Sequence, residues 1–359
     1  MEVHIIANPT AGRGGAGKRL ALLEELLQRM DIPYCLECTS YPGEATDLAR
    51  RAVETGKSII AAAGGDGTVA EVLNGLAGSD GTLAIIPMGT GNDLARGLGI
   101  PLELAGAVAL LKEGQGARMD LLREASRFLG GAGAVGIACQ VIENVERNRD
   151  SFIKGPPAFL IAALKTILEH RPYAVKIEMD GLTLEEEVVG VFVMNSPYIA
   201  GGMHLAPTAH LADGLFEVVL VERMNRPEIL LNLPKVYWGG HLGHPAVKVY
   251  QTRWVRITLP TPTMKILDGE LVPSTPLEAR LLPGALSVLV TEERAAALAR
   301  GRGNQTPTET PLTINGAVCV KCLWEKMGWR LGKISEKEER EADPRNGIHA
   351  TKIHGGGFS

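Results

Sequence analysis

The 359 residues carry no excess of positive charge: 37 Lys and Arg stand against 41 Asp and Glu, a formal net charge of −4. No dense Lys/Arg run with interleaved aromatics occurs either, so nucleic acid is not an expected partner. Long apolar runs are also missing. The best stretches, 128–142 and 156–168, are short and either glycine-rich or broken by Lys165, which predicts no transmembrane segment. The opening Met1-Glu2-Val3-His4 lacks a charged region followed by a long apolar one, so no signal peptide is expected and the localisation reads as cytoplasmic. Cysteine is sparse and odd in number, five in all, which argues against a disulfide framework. Cys35 and Cys38 form a CxxC, but "PYCLECTS" reads as a strand, where residues three apart point to opposite faces. Cys319 and Cys322 repeat the spacing ahead of His349 and His354, without the close ligand pairs of a zinc site; the cysteines read as free thiols. No Ser-His-Asp arrangement, dense histidine cluster or internal repeat is present.

What remains is long enough, and with 45% hydrophobic residues apolar enough, for two domains. Over residues 1–122, short β-rich runs alternate with helical patterns: "VHIIANP" then "GKRLALLEELLQRM", "SIIAAAGG" then "TVAEVLNGLAG", "LAIIPMG" then "NDLARGLG". Such alternation predicts a Rossmann-like parallel sheet wrapped by crossover helices, with ligands at the carboxyl ends of the strands. Residues 123–285 change texture to alternating strands such as "AVKIEMDG" and "LFEVVLVE", with two helices between them, and predict a second, mainly antiparallel domain. The fold class is α/β, with residues 286–300 a candidate completion of the first domain. From about Glu292 the composition turns rich in Ala, Arg, Gly, Thr and Pro, and a poorly ordered tail is expected over 301–359, with "AVCVKCLWEKMGWRLG" able to make a short amphipathic helix.

Chemistry concentrates in the turns of the first domain. In "AAAGGDGTVAEVLNG", Gly64, Gly65 and Gly67 lie between a strand end and a helix start, with Thr68 and Glu71 spaced as a capping box. Bare glycine amides at a helix N-terminus attract an anion. Asp66 among them would repel a phosphate unless a cation lay between, so the pairing points to a Mg2+-bound nucleotide. A plain Asp-Gly turn would explain the shape without the extra glycines. Gly89-Thr90-Gly91-Asn92-Asp93 repeats the device after the next strand, giving an amide-lined floor, with Thr90 as a hydroxyl donor and Asn92 or Asp93 as a helix cap. The first turn, "ANPTAGRGGAGKR", imitates two other motifs. Gly12, Gly14 and Gly17 have dinucleotide spacing, with Glu37 near the place of a ribose-binding acid, but that reading leaves the later glycine turns unexplained. Gly17-Lys18 has Walker spacing, yet Arg19 stands where that motif needs a metal-binding hydroxyl.

"NPTAG" at 8–12, "GGDGT" at 64–68 and "PMGTGNDLAR" at 87–96 together resemble the catalytic domain shared by diacylglycerol kinases, sphingosine kinases and the soluble bacterial lipid kinases. The likeness continues through Asn195, Gly201-Gly202, "LAPTAHLADGLFEVVLV" at 205–221 and "LDGE" at 267–270. The resemblance implies ATP on the α/β domain and a β-sandwich-like second domain, with a lipid hydroxyl entering the cleft between them. It maps nucleotide binding onto Asn8, Thr39, Gly64 to Thr68, Glu71 and the Gly89-Thr90-Gly91 turn, and links Asp66 to catalytic Mg2+–ATP. It makes Asp268 the general base with Glu270 beside it, and places a structural Mg2+ at Asp213 with the backbone carbonyls of His210 and Leu215. Without the resemblance, the Asp-Gly pairs at 180, 213 and 268 read as hairpin turns, although a carboxylate beside another can have a raised pKa suited to base catalysis. "GAVGIACQVI" lacks the acid that many relatives carry in a "GFDA"-like segment, which suits a glycerolipid better than a cationic sphingoid base. The expected function is phosphorylation of diacylglycerol to phosphatidic acid, in peripheral contact with a membrane surface, with homodimerisation left open. The alternatives are another lipid (a sphingoid base or phosphatidylglycerol), an NAD kinase, and a non-catalytic nucleotide-binding regulator.

Overall fold

The computed structural model describes residues 2–11, 16–147, 156–273, 276–301, 307–308 and 310–312. Residues 12–15 of the first turn, the 317–332 helix candidate, Cys319, Cys322, His349 and His354 lie outside the described residues. The chain opens with β1 (Val3–Ala7), α1 (Ala16–Arg29), β2 (Tyr34–Cys38), α2 (Glu44–Glu54), β3 (Ile59–Gly64), α3 (Asp66–Leu76), β4 (Thr82–Pro87), α4 (Asp93–Gly97) and α5 (Leu104–Glu113). The strands pair in parallel in the order β2-β1-β3-β4. Both faces of this sheet are covered: Ile5, Ala61 and Ile86 enter one core while Ile6, Ile60 and Ile85 enter the other. That double burial is why these strands read as continuous apolar runs rather than alternating ones. From β1 the chain moves outward to β2, then crosses back to β3. The reversal opens a crevice beyond the carboxyl ends of β1 and β3, the place where such sheets take ligands.

Then follow β5 (Gln115–Glu124), β6 (Arg127–Leu129), β7 (Ala132–Gly136), α6 (Ile137–Arg147), α7 (Pro156–Glu169), β8 (Tyr173–Met179) and β9 (Leu182–Met194). After them come β10 (Phe216–Glu222), α8 (Arg226–Asn232), β11 (Val247–Thr252), β12 (Trp254–Thr258), β13 (Lys265–Leu267), β14 (Glu270–Val272), β15 (Leu277–Val290) and α9 (Glu292–Arg300). Pairing among β7 to β14 is antiparallel, as expected, around a separate core that includes Ile177, Val191, Phe216 and Val218.

The long strand β15 joins the two architectures. Its first half pairs with β12, Ser287 and Val288 pair in parallel with β4, and β5 runs antiparallel to both halves. The register shifts between Leu282 and Leu286, where Gly284 takes φ +58°. α9 then packs back onto the α/β half: Thr291 caps its first turn through the Arg294 amide at 3.2 Å, and Leu298 is fully buried. Beyond it, Thr308 and Leu312 donate backbone hydrogen bonds to Gln251 and Val249 of β11. No helix among the described residues is long and apolar enough to cross a membrane.

Candidate active site

The turns after β3 and β4 touch backbone to backbone. A Cβ on Gly89 would lie 2.5 Å from the Gly65 Cα, and one on Gly91 would lie 2.5 Å from Asp66 Oδ2. A Cβ on Gly64 would collide with the Thr68 side chain at 2.4 Å, whereas one on Gly67 would meet nothing within 4 Å. Gly89 and Gly91 therefore let the two turns close on each other, Gly64 lets Thr68 pack against its own turn, and Gly67 has open space beside it. α3 begins at Asp66 with Gly65 as its N-cap, three residues earlier than the capping-box reading places it. That reading is corrected. Thr68 sits inside the first turn, Asn8 Nδ2 donates to its hydroxyl at 3.3 Å, and Glu71 Oε2 instead accepts the Ala45 amide of α2 at 3.2 Å. The first-turn amides of α3 have no carbonyl one turn earlier to bond, so they face the crevice as donors.

Asp66 points across to the second turn, where its two oxygens accept the amides of Asn92 at 2.8 Å and Asp93 at 2.6 Å. The carboxylate thus caps α4 from outside that helix. Asn92, in the left-handed region at φ +53°, turns its own side chain back to the Gly89 amide at 3.1 Å and closes the glycine turn. Asp93 reaches the other half of the molecule: its carboxylate accepts the amides of Gly201 at 2.9 Å and Gly202 at 2.7 Å. Burial raises the Asp93 pKa, and the Asp66 charge raises it further against those hydrogen bonds.

Asp268, on the turn between β13 and β14, lies close enough to Asp66 to feel its charge. It and Gly269 form the two-residue hairpin turn between Leu267 and Glu270, with φ +46° and +87°. Its Oδ1 accepts the amides of Gly131 at 3.0 Å and Ala132 at 2.8 Å, and its Oδ2 accepts that of Gly130 at 2.9 Å. Burial pushes its carboxyl up to about 6 against those three bonds, with a further contribution from the charge of Asp66. The hairpin reading and the catalytic reading of this Asp-Gly pair are compatible. Glu270 is exposed and pairs with Arg127, so the raised pKa of Asp268 comes from burial and Asp66 rather than from its sequence neighbour.

Residues 2–123 match the family model described as diacylglycerol kinase catalytic domain, and residues 132–290 match the YegS C-terminal NAD kinase beta sandwich-like domain. A diacylglycerol kinase of Staphylococcus aureus (strain bovine RF122 / ET3-1) is 31% identical over 271 residues, spanning 75% of this chain and 86% of that protein. The diacylglycerol kinase of strain MRSA252 matches with the same identity and coverage. A crystal structure of a diacylglycerol kinase from Bacillus anthracis str. Sterne superposes with TM-score 0.68 at 25% identity, over 81% of this chain and 98% of that one. The chain belongs to the diacylglycerol kinase family.

Membership in that family implies a kinase that uses a nucleotide, usually with a metal ion. Among the residues carried over by resemblance, Asn8, Gly64 to Thr68 and Gly89 to Gly91 meet at the carboxyl ends of β1, β3 and β4. Thr39 follows β2, its amide bonded to the Ala7 carbonyl at 2.8 Å. Glu71 lies at the α2–α3 contact, where its carbonyl also accepts the Thr46 hydroxyl at 2.9 Å. Asp213 is buried, and its Oδ1 accepts the Leu215 amide at 3.0 Å. Its carboxyl is pushed up to about 6 by burial, with Asp120 nearby adding repulsion. His210 Nδ1 accepts the Ala212 amide at 3.2 Å.

Three contributors escape the sequence reading. The Gly130–Ala132 amides that hold Asp268 are announced only by the Gly-Gly pair at 130–131. Asp93 reads as a helix cap, while its partners lie 108 and 109 residues away. Asp120 sits in a strand, and its carboxylate takes the amides of Gly214 at 2.8 Å and Gly284 at 2.7 Å.

Proposed function

We propose that this chain is an ATP- and Mg2+-dependent lipid kinase that phosphorylates the primary hydroxyl of diacylglycerol, giving phosphatidic acid. The observation that carries the reading is Asp268: a carboxylate held by three backbone amides, raised toward pH 6 and within reach of the Asp66 charge, which lies in the first glycine turn. A base of this kind, with one hydrogen bond on Oδ2 and a lone pair to spare, suits proton removal from an alcohol. The α3 amides and the Gly89–Gly91 turn suit the phosphates of a nucleotide. Asp66 and Asp93 place negative charge beside them, which fits a hard cation bound through one or two carboxylates and phosphate oxygens. When bound, that cation would neutralise charge on the transferring phosphoryl group. Asp213, with the His210 and Leu215 carbonyls, is the corresponding choice for a structural cation, since a buried acid beside Asp120 gains from one.

The division of labour follows the fold. Residues 1–122, completed by 286–300, bind nucleotide, and residues 123–285 receive the lipid. The Gly136–Cys139 segment supports an uncharged acceptor: Cys139 is buried, and its thiol is pushed up to about 12, chiefly by burial. Ile161, Leu164 and Leu168 share one exposed face of α7, a surface suited to peripheral contact with the bilayer that supplies the substrate.

The test is phosphate transfer from labelled ATP to a lipid panel in mixed micelles, with NAD as a parallel acceptor. Diacylglycerol should be labelled, and Asp268→Asn should lower the rate by about 10²–10⁴-fold without loss of the folded circular dichroism signal. Labelling that survives Asp268→Asn removes the base assignment. Labelling of NAD alone moves the protein to the other kinase class, and preference for a sphingoid base or phosphatidylglycerol reassigns the acceptor.

A further inference from the structure

The Cys35–Cys38 pair of the sequence does not converge: both lie on β2, three residues apart, one half-buried and the other exposed. Cys35 instead meets residues of another spacing. β1 and β2 run parallel with His4 opposite Cys35 and Ile6 opposite Glu37, so His4, Cys35 and Glu37 share one face of the sheet. Their ligand atoms all lie within 4.8 Å of one another, and no other group of three or more His, Cys, Asp or Glu among the described residues meets that condition.

His4 is the second observation. The residue is 5% exposed, and neither ring nitrogen has a hydrogen-bond partner. Nε2 lies 3.1 Å from Glu37 Oε1 without hydrogen-bond geometry. A buried polar group left in this state is destabilising unless something binds it. Lys57, on the same edge, is paired with Glu2.

We propose that His4, Cys35 and Glu37 form a binding site for a zinc-class divalent cation at the outer edge of the parallel sheet. Thiolate, imidazole and carboxylate together are the donors such an ion takes, whereas Mg2+ takes oxygen ligands. With bonds of about 2.0–2.3 Å and tetrahedral angles, the ligand atoms must settle about 3.3–3.8 Å from one another. The half-exposed side chains of Cys35 and Glu37 can make that adjustment around a fixed His4. Three protein ligands leave the fourth position to water, and binding releases the Cys35 thiol proton to solvent. His4 lies four residues before Asn8 along β1, about 13 Å from the nucleotide end of the strand, so the ion tethers the edge strand β2 and takes no part in phosphoryl transfer.

The full-length protein, stripped with EDTA and kept reduced by a phosphine, is titrated with Zn2+ by calorimetry and with Co2+ by absorbance. We expect one equivalent bound in a manner that excess Mg2+ does not compete, with a thiolate-to-cobalt charge-transfer band in the near ultraviolet. Cys35→Ser should abolish the band and weaken binding by about tenfold or more, while Cys38→Ser and the tail double variant Cys319→Ser/Cys322→Ser keep both. Glu37→Gln should keep the band and weaken binding, which tests the site even if Cys35→Ser folds poorly. A band unchanged by Cys35→Ser, a band lost only with the tail cysteines, or binding indifferent to Glu37→Gln overturns the proposal.

Discussion

Asp268 is held in the left-handed region at φ +46° by a hairpin that also delivers its carboxylate to three amides. Such a backbone is tolerated by Asp better than by most residues, and strain of this type gathers where a side chain must be aimed. The raised pKa has a direct consequence for activity. The native carboxyl titrates near 6, above its ordinary value of 3.8, so the proton-accepting form predominates above about pH 6 and disappears below it. If Asp268 is the base, kcat/KM for lipid phosphorylation should rise with pH along a limb centred near 6 and level off above it. A rate profile at constant Mg2+ and ionic strength checks this, and a flat profile from pH 5 to 8 contradicts the assignment.

At the scale of elements, α9 shows how local signals and composition conflict. The Ala- and Arg-rich stretch from Glu292 reads as the start of a tail, yet Thr291 followed by Glu292 and Glu293 is a sound helix start: a hydroxyl cap with acids at the positive end. The outcome is set by Leu298, fully buried in the core under the parallel sheet. Leu298→Ala should cost about 2–5 kcal/mol, against about 1 kcal/mol for Thr291→Ala, both read from urea denaturation. A frayed segment would show neither loss. The alternating strands and helices of the first half were legible because apolar runs and glycine turns are local patterns. The glycine turns were legible for the same reason, although the capping-box pattern places the start of α3 three residues late, because Gly65 caps it without a side chain. The grip of Asp93 on Gly201 and Gly202 was not legible, since the pattern that would reveal it spans more than a hundred residues. Asp268 fell between these cases: residue patterns alone gave a hairpin, and only resemblance suggested a base.

For the whole molecule, the decisive feature is that two cores share strands. β15 contributes Leu277, Ala279 and Leu281 to the core of the antiparallel part, and Leu286, Val288 and Val290 to a core of the α/β part. β5 does the same with Leu122 on one side and Met119 and Leu121 on the other. Asp120 reinforces the junction by holding the Gly284 amide where β15 changes register. Neither part can unfold without stripping strands that the other needs, so the two halves should melt together although their sequence textures differ. Calorimetry on the full-length protein should show one transition for the folded part, and Leu298→Ala in one core and Leu220→Ala in the other should both move it down by several degrees. If Leu220→Ala shifted only part of the heat absorption and left a second peak in place, β5 and β15 would be hinges between independent domains, and the crevice between Asp66 and Asp268 would be free to open without loss of either core.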